Sequence, residues 1–137
     1  MLNIHGEKLS EESFYRTLQE SAKLWGVEIS DYSTCENVLD EKDGDFTPHY
    51  LVFIESESQI NEPEILDEML QENHPVYKSF RVKGSIGGLR VVQVRKGTFG
   101  LLKKWMLENT EASSNQIKIP RVLKKKETVS LMLENEI

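Results

Sequence analysis

The sequence has little cysteine and no long apolar run. A single cysteine, Cys35, cannot form an internal disulfide, which excludes the disulfide-rich secreted scaffolds. No apolar stretch approaches the ~20 residues that a membrane-spanning helix needs, and the N-terminus lacks the basic-then-apolar pattern of a signal peptide. We therefore expect a cytoplasmic protein with no membrane partner.

The residue clusters that usually carry chemistry are also missing. The three histidines, His5, His49 and His74, lie far apart, so a zinc site has little support, and His49 is interpreted as a structural residue. The acidic loop 39–48 lacks the glycine and glutamate spacing of a calcium loop. Acidic neighbours around Cys35 favour a buried thiol over a nucleophile. No metal ligands are predicted.

The charge is distributed unevenly along the chain. Residues 1–75 hold 18 acidic and 4 basic side chains, whereas residues 76–137 hold 5 acidic and 13 basic ones. Such a basic half either meets an anion or forms part of a mixed solvated surface. An overall isoelectric point near 5.1 argues against a nucleic-acid partner.

Periodicity in the first half predicts two helices and two strands. Ser10 is a suitable N-cap for a helix over 11–25. Residues 27–35 and 49–54 are rich in apolar and β-branched side chains, and they predict an antiparallel strand pair. A second helix is expected over 61–73, with Asn61 and Glu64 as a capping box.

The second half predicts further short elements around a glycine-rich turn. A short helix is expected near residues 76–80, a strand over 89–94, and a helix over 99–108 capped by Thr98. Residues 129–133 are interpreted as a closing edge strand. Together these elements indicate an α+β fold, a small mixed sheet covered by helices, in a single domain over 1–137.

Lys118 differs from the other lysines in its surroundings. It stands between Ile117 and Ile119 in a segment expected to be extended, so that the isoleucines bury on one face while the lysine projects from the other. Pro120 stiffens the exit and Arg121 adds a second cation. An ordered lysine of this kind can stabilise charge on a phosphoryl group. From spacing alone, a surface lysine in a loop is the simpler interpretation.

The lysine run that follows is interpreted in the same two ways. Lys124, Lys125 and Lys126 are expected to form a solvated turn before the last strand, and the alternative is attraction of a phosphate.

Two stretches of the sequence resemble the C-terminal domain of the auxin-responsive promoter (Gretchen Hagen) family. They are HPVYKSFRVKGSIGGLRVVQVRKGTFGLLKKWM and NQIKIPRVL. That pattern runs Asn-Pro-x-Tyr, a Gly-x-Leu-Gly-Pro-Leu turn, Pro-Gly-Thr-Phe and Asn-Gln-Tyr-Lys-x-Pro-Arg. The matching positions are Pro75, Tyr77, Gly84, Gly87, Leu89, Gly97, Thr98, Phe99, Asn115, Gln116, Lys118, Pro120 and Arg121. Departures are His74 for Asn, Ile86 for Leu, Gly88 and Lys96 for Pro, and Ile117 for Tyr. NIHGEKLSEE and HYLVFIE extend the similarity over nearly the whole chain.

The resemblance implies an acyl-acid amido synthetase of the adenylate-forming superfamily. Such enzymes use ATP and Mg²⁺ to activate a carboxylic acid as an acyl adenylate, and an amine such as an amino acid then forms the amide. The mobile C-terminal domain closes over the active site as a lid. Carried over by motif, Lys118 would be catalytic, and both Lys118 and Arg121 would bind the nucleotide, with Arg121 in a supporting role. Gly6, Glu7 and Lys8 would form the hinge.

The resemblance also implies a larger protein. The partner would be an N-terminal adenylation domain of the same polypeptide, which carries the ATP-binding loops and the acid pocket and is absent from these 137 residues. Alone, this domain is expected to bind no cofactor and to be inactive. The alternative is a stand-alone, non-catalytic α+β module that binds a small molecule or a protein.

Overall fold

The computed structural model describes residues 8–40, 47–110 and 117–137. Five helices and three strands lie in these ranges, together with a 3₁₀ turn at Asn37–Leu39. Their bounds are α1 Glu11–Trp25, β1 Ile29–Glu36, β2 Tyr50–Ser56, α2 Ile65–Asn73, α3 Pro75–Lys83, β3 Arg90–Val94, α4 Thr98–Asn109 and α5 Lys126–Glu134.

The three strands form a mixed sheet with β2 in the centre. β1 runs antiparallel to β2, with Cys35 opposite Leu51. β3 runs parallel to β2, with Val92 opposite Phe53. The α+β class, the small mixed sheet and the antiparallel strand pair expected from the sequence are confirmed.

Helices cover both faces of this sheet, because successive side chains of β2 point to opposite faces and are apolar on both. Val52 and Ile54 pack with residues of α1, α2 and α3, whereas Leu51 and Phe53 pack with residues of α4 and α5. A central strand whose two faces are both buried has to be apolar at successive positions. The unbroken apolar run of β2 is therefore explained by the three-layer arrangement.

The first helix matches its prediction. Ser10 Oγ accepts a hydrogen bond from the Ser13 amide at 3.1 Å, and Gly26 ends the helix with φ of 71°. Glycine suits that left-handed position because it has no Cβ to clash with the following carbonyl.

α2 begins at Ile65, four residues later than the capping-box prediction. The residues before it have other partners: the Ile60 amide donates to Gln93 Oε1 at 2.9 Å, and Glu62 has φ of 57°. A left-handed residue at position 62 cannot belong to a right-handed helix. The predicted pairing of Asn61 with Glu64 was therefore wrong.

The start of α4 also differs from its prediction. Its N-cap is Gly97, with φ of 93°, and Thr98 is the first helical residue. The Thr98 hydroxyl donates to the Arg95 carbonyl at 2.5 Å, a bond that does not cap the helix. Instead, Glu55 Oε1 of β2 accepts from the Phe99 amide at 3.0 Å.

The predicted edge strand at 129–133 was wrong, because these residues belong to α5. Val129 and Met132 are fully buried and lie three residues apart, which is the spacing of one helix face. Lys126 is the first residue of this helix, so the expected lysine turn is also shorter than predicted. The chain does reach the edge of β3, but with its last residues: the Ile137 amide donates to the Gln93 carbonyl at 2.9 Å.

A buried carboxylate joins α2, α3 and the turn before β3. Asp67 accepts hydrogen bonds from the Tyr77 hydroxyl, from the Arg81 guanidinium at 3.0 Å and from the Leu89 amide at 3.1 Å. Burial alone would raise the pKa of Asp67, but the hydrogen bonds from Arg81, Tyr77 and Leu89 outweigh it and lower the pKa. The charged form of Asp67 is thus part of the folded structure.

Candidate functional site

The segment that carries Lys118 lies along the outer edge of β1. We call residues 117–123 the Lys118 segment. The Thr34 amide donates to the Arg121 carbonyl at 2.8 Å, and the Leu123 amide donates to the Thr34 carbonyl at 2.7 Å. These two bonds form a parallel bridge between Thr34 and Val122. The segment is thereby attached to the sheet although it is not a regular strand.

Two hydroxyl groups of β1 strengthen this attachment. Ser33 Oγ donates to the Pro120 carbonyl at 2.6 Å, and Thr34 Oγ1 donates to the Arg121 carbonyl at 2.7 Å. Both side chains belong to buried residues, at 0% and 1% exposure. Buried hydroxyls require partners, and here the partners are backbone carbonyls of the Lys118 segment.

Lys118 is exposed to solvent, whereas its neighbours are not. Ile117 is buried, and Ile119 is half-buried against the cluster formed by α4, α5 and the sheet. The predicted alternation, with isoleucines inward and the lysine outward, is confirmed. The structure therefore presents the Lys118 ammonium on a backbone that its neighbours and β1 hold in place.

Arg121 contacts the body of the domain. Its Nη1 donates to the Asp31 carboxylate and to the Tyr32 carbonyl, the latter at 2.6 Å. The guanidinium carbon lies 4.7 Å from the centre of the Tyr32 ring, and that ring stacks on Tyr15 of α1 at 5.8 Å. Burial raises the pKa of the Tyr32 hydroxyl, and the Arg121 charge opposes that shift.

Two open cavities flank the Lys118 segment. A cleft of about 410 Å³ separates α1 from the start of β1, and Tyr15, Lys23 and Arg121 line part of it. A smaller groove of about 210 Å³ lies between α4 and the Lys118 segment, with Trp105 and Lys125 among its lining residues. Lys125 Nζ lies 5.8 Å from the centre of the Trp105 ring, a cation–π contact.

The structure describes only part of the predicted hinge. Gly6 and Glu7 lie outside the described residues. Lys8 is exposed and has φ of 47°, and Leu9 directly after it is buried in the core with Phe14. Leu9 is therefore part of the body of the domain.

The other titratable candidates have structural surroundings. Cys35 is fully buried, and burial raises the pKa of its thiol to about 12, which disfavours the thiolate. His49 is buried, with Nδ1 2.8 Å from the Thr47 carbonyl. The pKa of His74 is lowered by burial. His5 lies outside the described residues. The buried thiol and the structural His49 expected from the sequence are confirmed.

Residues 8–40, 47–110 and 117–137 contain neither a metal-binding cluster nor a membrane-spanning helix. No group of three or more histidine, cysteine or acidic side chains in these ranges could hold a metal ion. No helix there is long and apolar enough to cross a membrane.

Sequence reasoning missed the residues that hold the Lys118 segment. Asp31, Ser33 and Thr34 lie about 90 positions before their partners, in a strand that was predicted without any contact to that segment. The only available signal was that β1 carries several polar residues. It could not have identified the partner.

Comparison with known proteins gives the same fold and names the family. Two solved structures superpose closely on the chain, at 20% sequence identity each. A GH3.15 acyl acid amido synthetase has a TM-score of 0.75 over 93% of the chain, and an AtGH3.15 acyl acid amido synthetase in complex with 2,4-DB has 0.79 over 99%. The chain covers 24% and 25% of these two structures.

Curated relatives are more similar in sequence. A GH3 domain-containing protein of Mus musculus is 33% identical and one of Homo sapiens is 30% identical, each over 99% of the chain. The 4-substituted benzoates-glutamate ligase GH3.12 of Arabidopsis thaliana is 28% identical over 90%. The chain spans about a quarter of these proteins, at 26%, 26% and 24%.

The family model for the GH3 family C-terminal domain matches residues 12–127. That range runs from α1 to the start of α5 and includes the Lys118 segment. This chain therefore belongs to the GH3 family and corresponds to the family's C-terminal domain.

Proposed function

We propose that this chain is the C-terminal domain of an ATP-dependent acyl-acid amido synthetase and that it supplies Lys118 to the active site. The observation that carries the proposal is the exposed Lys118 ammonium on a segment fixed to β1. Family membership supports it, since relatives of this chain include an amido synthetase and a benzoate–glutamate ligase. The partner is an adenylation domain on the N-terminal side of the same polypeptide.

The proposed reaction has two steps. A carboxylate oxygen of the acid attacks the α-phosphorus of ATP, so that an acyl–oxygen–phosphorus bond forms and the bond to pyrophosphate breaks. The nitrogen of an amine then attacks the acyl carbon, AMP leaves, and the amine loses a proton. The products are the amide, AMP and pyrophosphate.

Lys118 would act in the first step as a fixed positive charge. Negative charge builds up around the α-phosphate as the carboxylate attacks, and a pre-placed ammonium stabilises that charge without reorganising. The exposed position of Lys118 allows it to approach a second domain. The bonds of residues 120–123 to β1 would limit the movement of the backbone next to this cation while the nucleotide reacts.

Closure of the domain would protect the intermediate. An acyl adenylate is readily hydrolysed, and a lid that excludes water limits this loss. Gly6, Glu7 and Lys8 precede the buried Leu9 and are the proposed hinge.

Residues 8–40, 47–110 and 117–137 bring no three histidine, cysteine or acidic side chains together as metal ligands. Any Mg²⁺ would arrive with ATP in the adenylation domain, where it would neutralise phosphate charge. The part assigned to this chain therefore consists of positioning Lys118 and closing the site.

The test is Lys118→Ala in the full-length gene product. ATP–pyrophosphate exchange, which measures the first step, should fall about a hundredfold or more, as expected for loss of a preorganised charge. The matched control is Lys83→Ala, which removes an exposed lysine from the last turn of α3 and should leave exchange unchanged. Both variants should unfold at the wild-type temperature, because each side chain is exposed.

Unchanged exchange in Lys118→Ala would contradict the assignment and make Lys124, Lys125 and Lys126 the next candidates. A gene with no adenylating domain upstream of Met1 would contradict the function as a whole. It would favour a non-catalytic α+β module that binds a small molecule or a protein.

A further inference from the structure

The backbone bonds to β1 leave one end of the Lys118 segment less constrained than the other. They involve the carbonyls of Pro120 and Arg121 and the amide of Leu123, all of which lie after Lys118 in the chain. Such bonds fix the register of residues 120–123. The direction in which residue 118 leaves β1 depends on how firmly the next few residues are held.

The Arg121 side chain supplies that additional support. Its Nη1 bonds to both the Asp31 carboxylate and the Tyr32 carbonyl, and its planar face rests on the Tyr32 ring. Tyr32 in turn stacks on Tyr15 of α1. A planar guanidinium held along its edge and on its face has little freedom to rotate. The segment is therefore fixed to a helix as well as to a strand.

The ion pair between Arg121 and Asp31 also supports a role in fixing the Lys118 segment. The side chains of Arg121 and Asp31 are 36% and 24% exposed, so their charges are partly shielded from water. An ion pair in such a position contributes more to stability than one on an open surface. Asp31 offsets the charge of Arg121 inside the domain. Lys118 is the neighbouring cation that faces solvent.

We infer that Asp31 and Arg121 are positioning residues that orient the Lys118 segment for catalysis, and that Arg121 serves the reaction through Lys118 rather than by touching the nucleotide. This inference rests on the proposed role of Lys118. It replaces the nucleotide contact that the family resemblance implied for Arg121 with a positioning role.

The first test uses this chain alone and does not depend on activity. Asp31→Asn keeps an oxygen that can accept from the Tyr32 amide, as Asp31 does at 2.9 Å, but removes the charge that holds Arg121. Amide hydrogen exchange at Thr34 and Leu123 should accelerate at least tenfold, because both amides form the hydrogen bonds between β1 and the Lys118 segment. Exchange in α2 should not change.

Arg121→Gln should give the same exchange pattern as Asp31→Asn. The matched control is Glu136→Gln, which breaks the pair between Glu136 and Arg90 at 3.2 Å, where the last residues meet β3. It should leave the Thr34 and Leu123 amides unaffected. Wild-type protection of these amides in both Asp31→Asn and Arg121→Gln would overturn the inference.

The second test uses the full-length gene product. Asp31→Asn should lower kcat for adenylation roughly tenfold to a hundredfold, as small displacements of a catalytic group do, with little change in KM for ATP. In a Lys118→Ala background the same change should cost nothing further, since Asp31 acts through Lys118. An equal loss in both backgrounds would mean a purely structural role and would overturn the inference.

The two proposals fail in different ways. If Lys118→Ala leaves adenylation intact, the assignment of Lys118 falls, and the catalytic part of this inference falls with it. If Lys118→Ala slows adenylation but Asp31→Asn does not, only the positioning role is lost.

Discussion

Asp67 shows how one side chain can hold several elements together. It lies in α2, and its donors come from Tyr77 and Arg81 in α3 and from the Leu89 amide just before β3. Three kinds of donor surround one carboxylate, whose side chain is 9% exposed. Loss of this charge would leave the partly buried Arg81 guanidinium without its counter-charge and would weaken the acceptor of the buried Leu89 amide.

Asp67→Asn should lower the free energy of unfolding by about 3 kcal/mol, the cost of breaking a largely buried ion pair. Urea unfolding at pH 7 measures this. The exposed pair between Lys96 and Glu57, 3.0 Å apart, provides the control, and Glu57→Gln should cost less than about 0.5 kcal/mol. Equal losses in the two variants would contradict the special role of Asp67.

The lowered pKa of Asp67 adds a pH dependence to the same experiment. Because the folded-state pKa lies below the unfolded value of about 3.9, this group stabilises the fold fully above that pH. The contribution is lost as the pH falls through the folded-state pKa. Between pH 5 and pH 2, roughly, the wild-type protein should therefore lose more stability than Asp67→Asn.

Residue-level properties could be predicted from the sequence where neighbours determine them. The exposure of Lys118 follows from Ile117 and Ile119 beside it, and burial of Cys35 follows from its place in an apolar strand. The pairing of Asp31 with Arg121 could not be predicted in this way. A contact between residues 90 positions apart depends on the whole fold.

The start of α4 illustrates how one element depends on another. The first amide groups of a helix need acceptors from outside the helix. At Phe99 the acceptor is the carboxylate of Glu55, which stands near the end of β2, while Gly97 supplies the left-handed turn. The negative charge also lies near the positive end of the helix dipole.

Glu55→Ala should therefore destabilise the domain by about 1 kcal/mol, the usual cost of losing a helix cap. Thermal or urea unfolding measures the loss, and amide exchange at Phe99 should accelerate with it. Glu57→Ala is the matched control, because its partner Lys96 is exposed. An unchanged Phe99 amide in Glu55→Ala would show that the carboxylate does not cap the helix.

Elements in which the apolar residues recur at a clear helical spacing were predicted more accurately than elements without such a pattern. The apolar residues of α1 recur over four turns between two caps, and the predicted bounds 11–25 match the observed ones. In α5 only nine residues are available, and Val129, Leu131 and Leu133 also alternate as a strand would. Burial of Met132 beside Val129 selects the helix, and packing decides this, not local preference.

At the scale of the whole molecule, the chain is much shorter than the proteins to which it is similar. The chain spans 24% to 26% of its curated relatives. In the proposed function it supplies a cation and a lid, while the acid and ATP sites belong to the rest of the parent protein. The three-layer body places Lys118 on the surface, as a domain that acts on another one requires.

The isolated 137-residue chain should accordingly show no ATP–pyrophosphate exchange. The full-length gene product, assayed under the same conditions, should show it. A circular dichroism spectrum of the isolated chain confirms that it is folded in the assay. Robust exchange by the chain alone would place the ATP site within it and contradict the division of labour proposed here.

Both margins of the sheet are partly covered by segments that are not strands. Residues 121–123 lie against β1, and residues 135–137 lie against the end of β3. An uncovered margin invites another polypeptide to add a strand through backbone hydrogen bonds. In the proposed function, the adenylation domain would therefore dock through side chains, and an association made without a shared sheet could be reversed in every turnover.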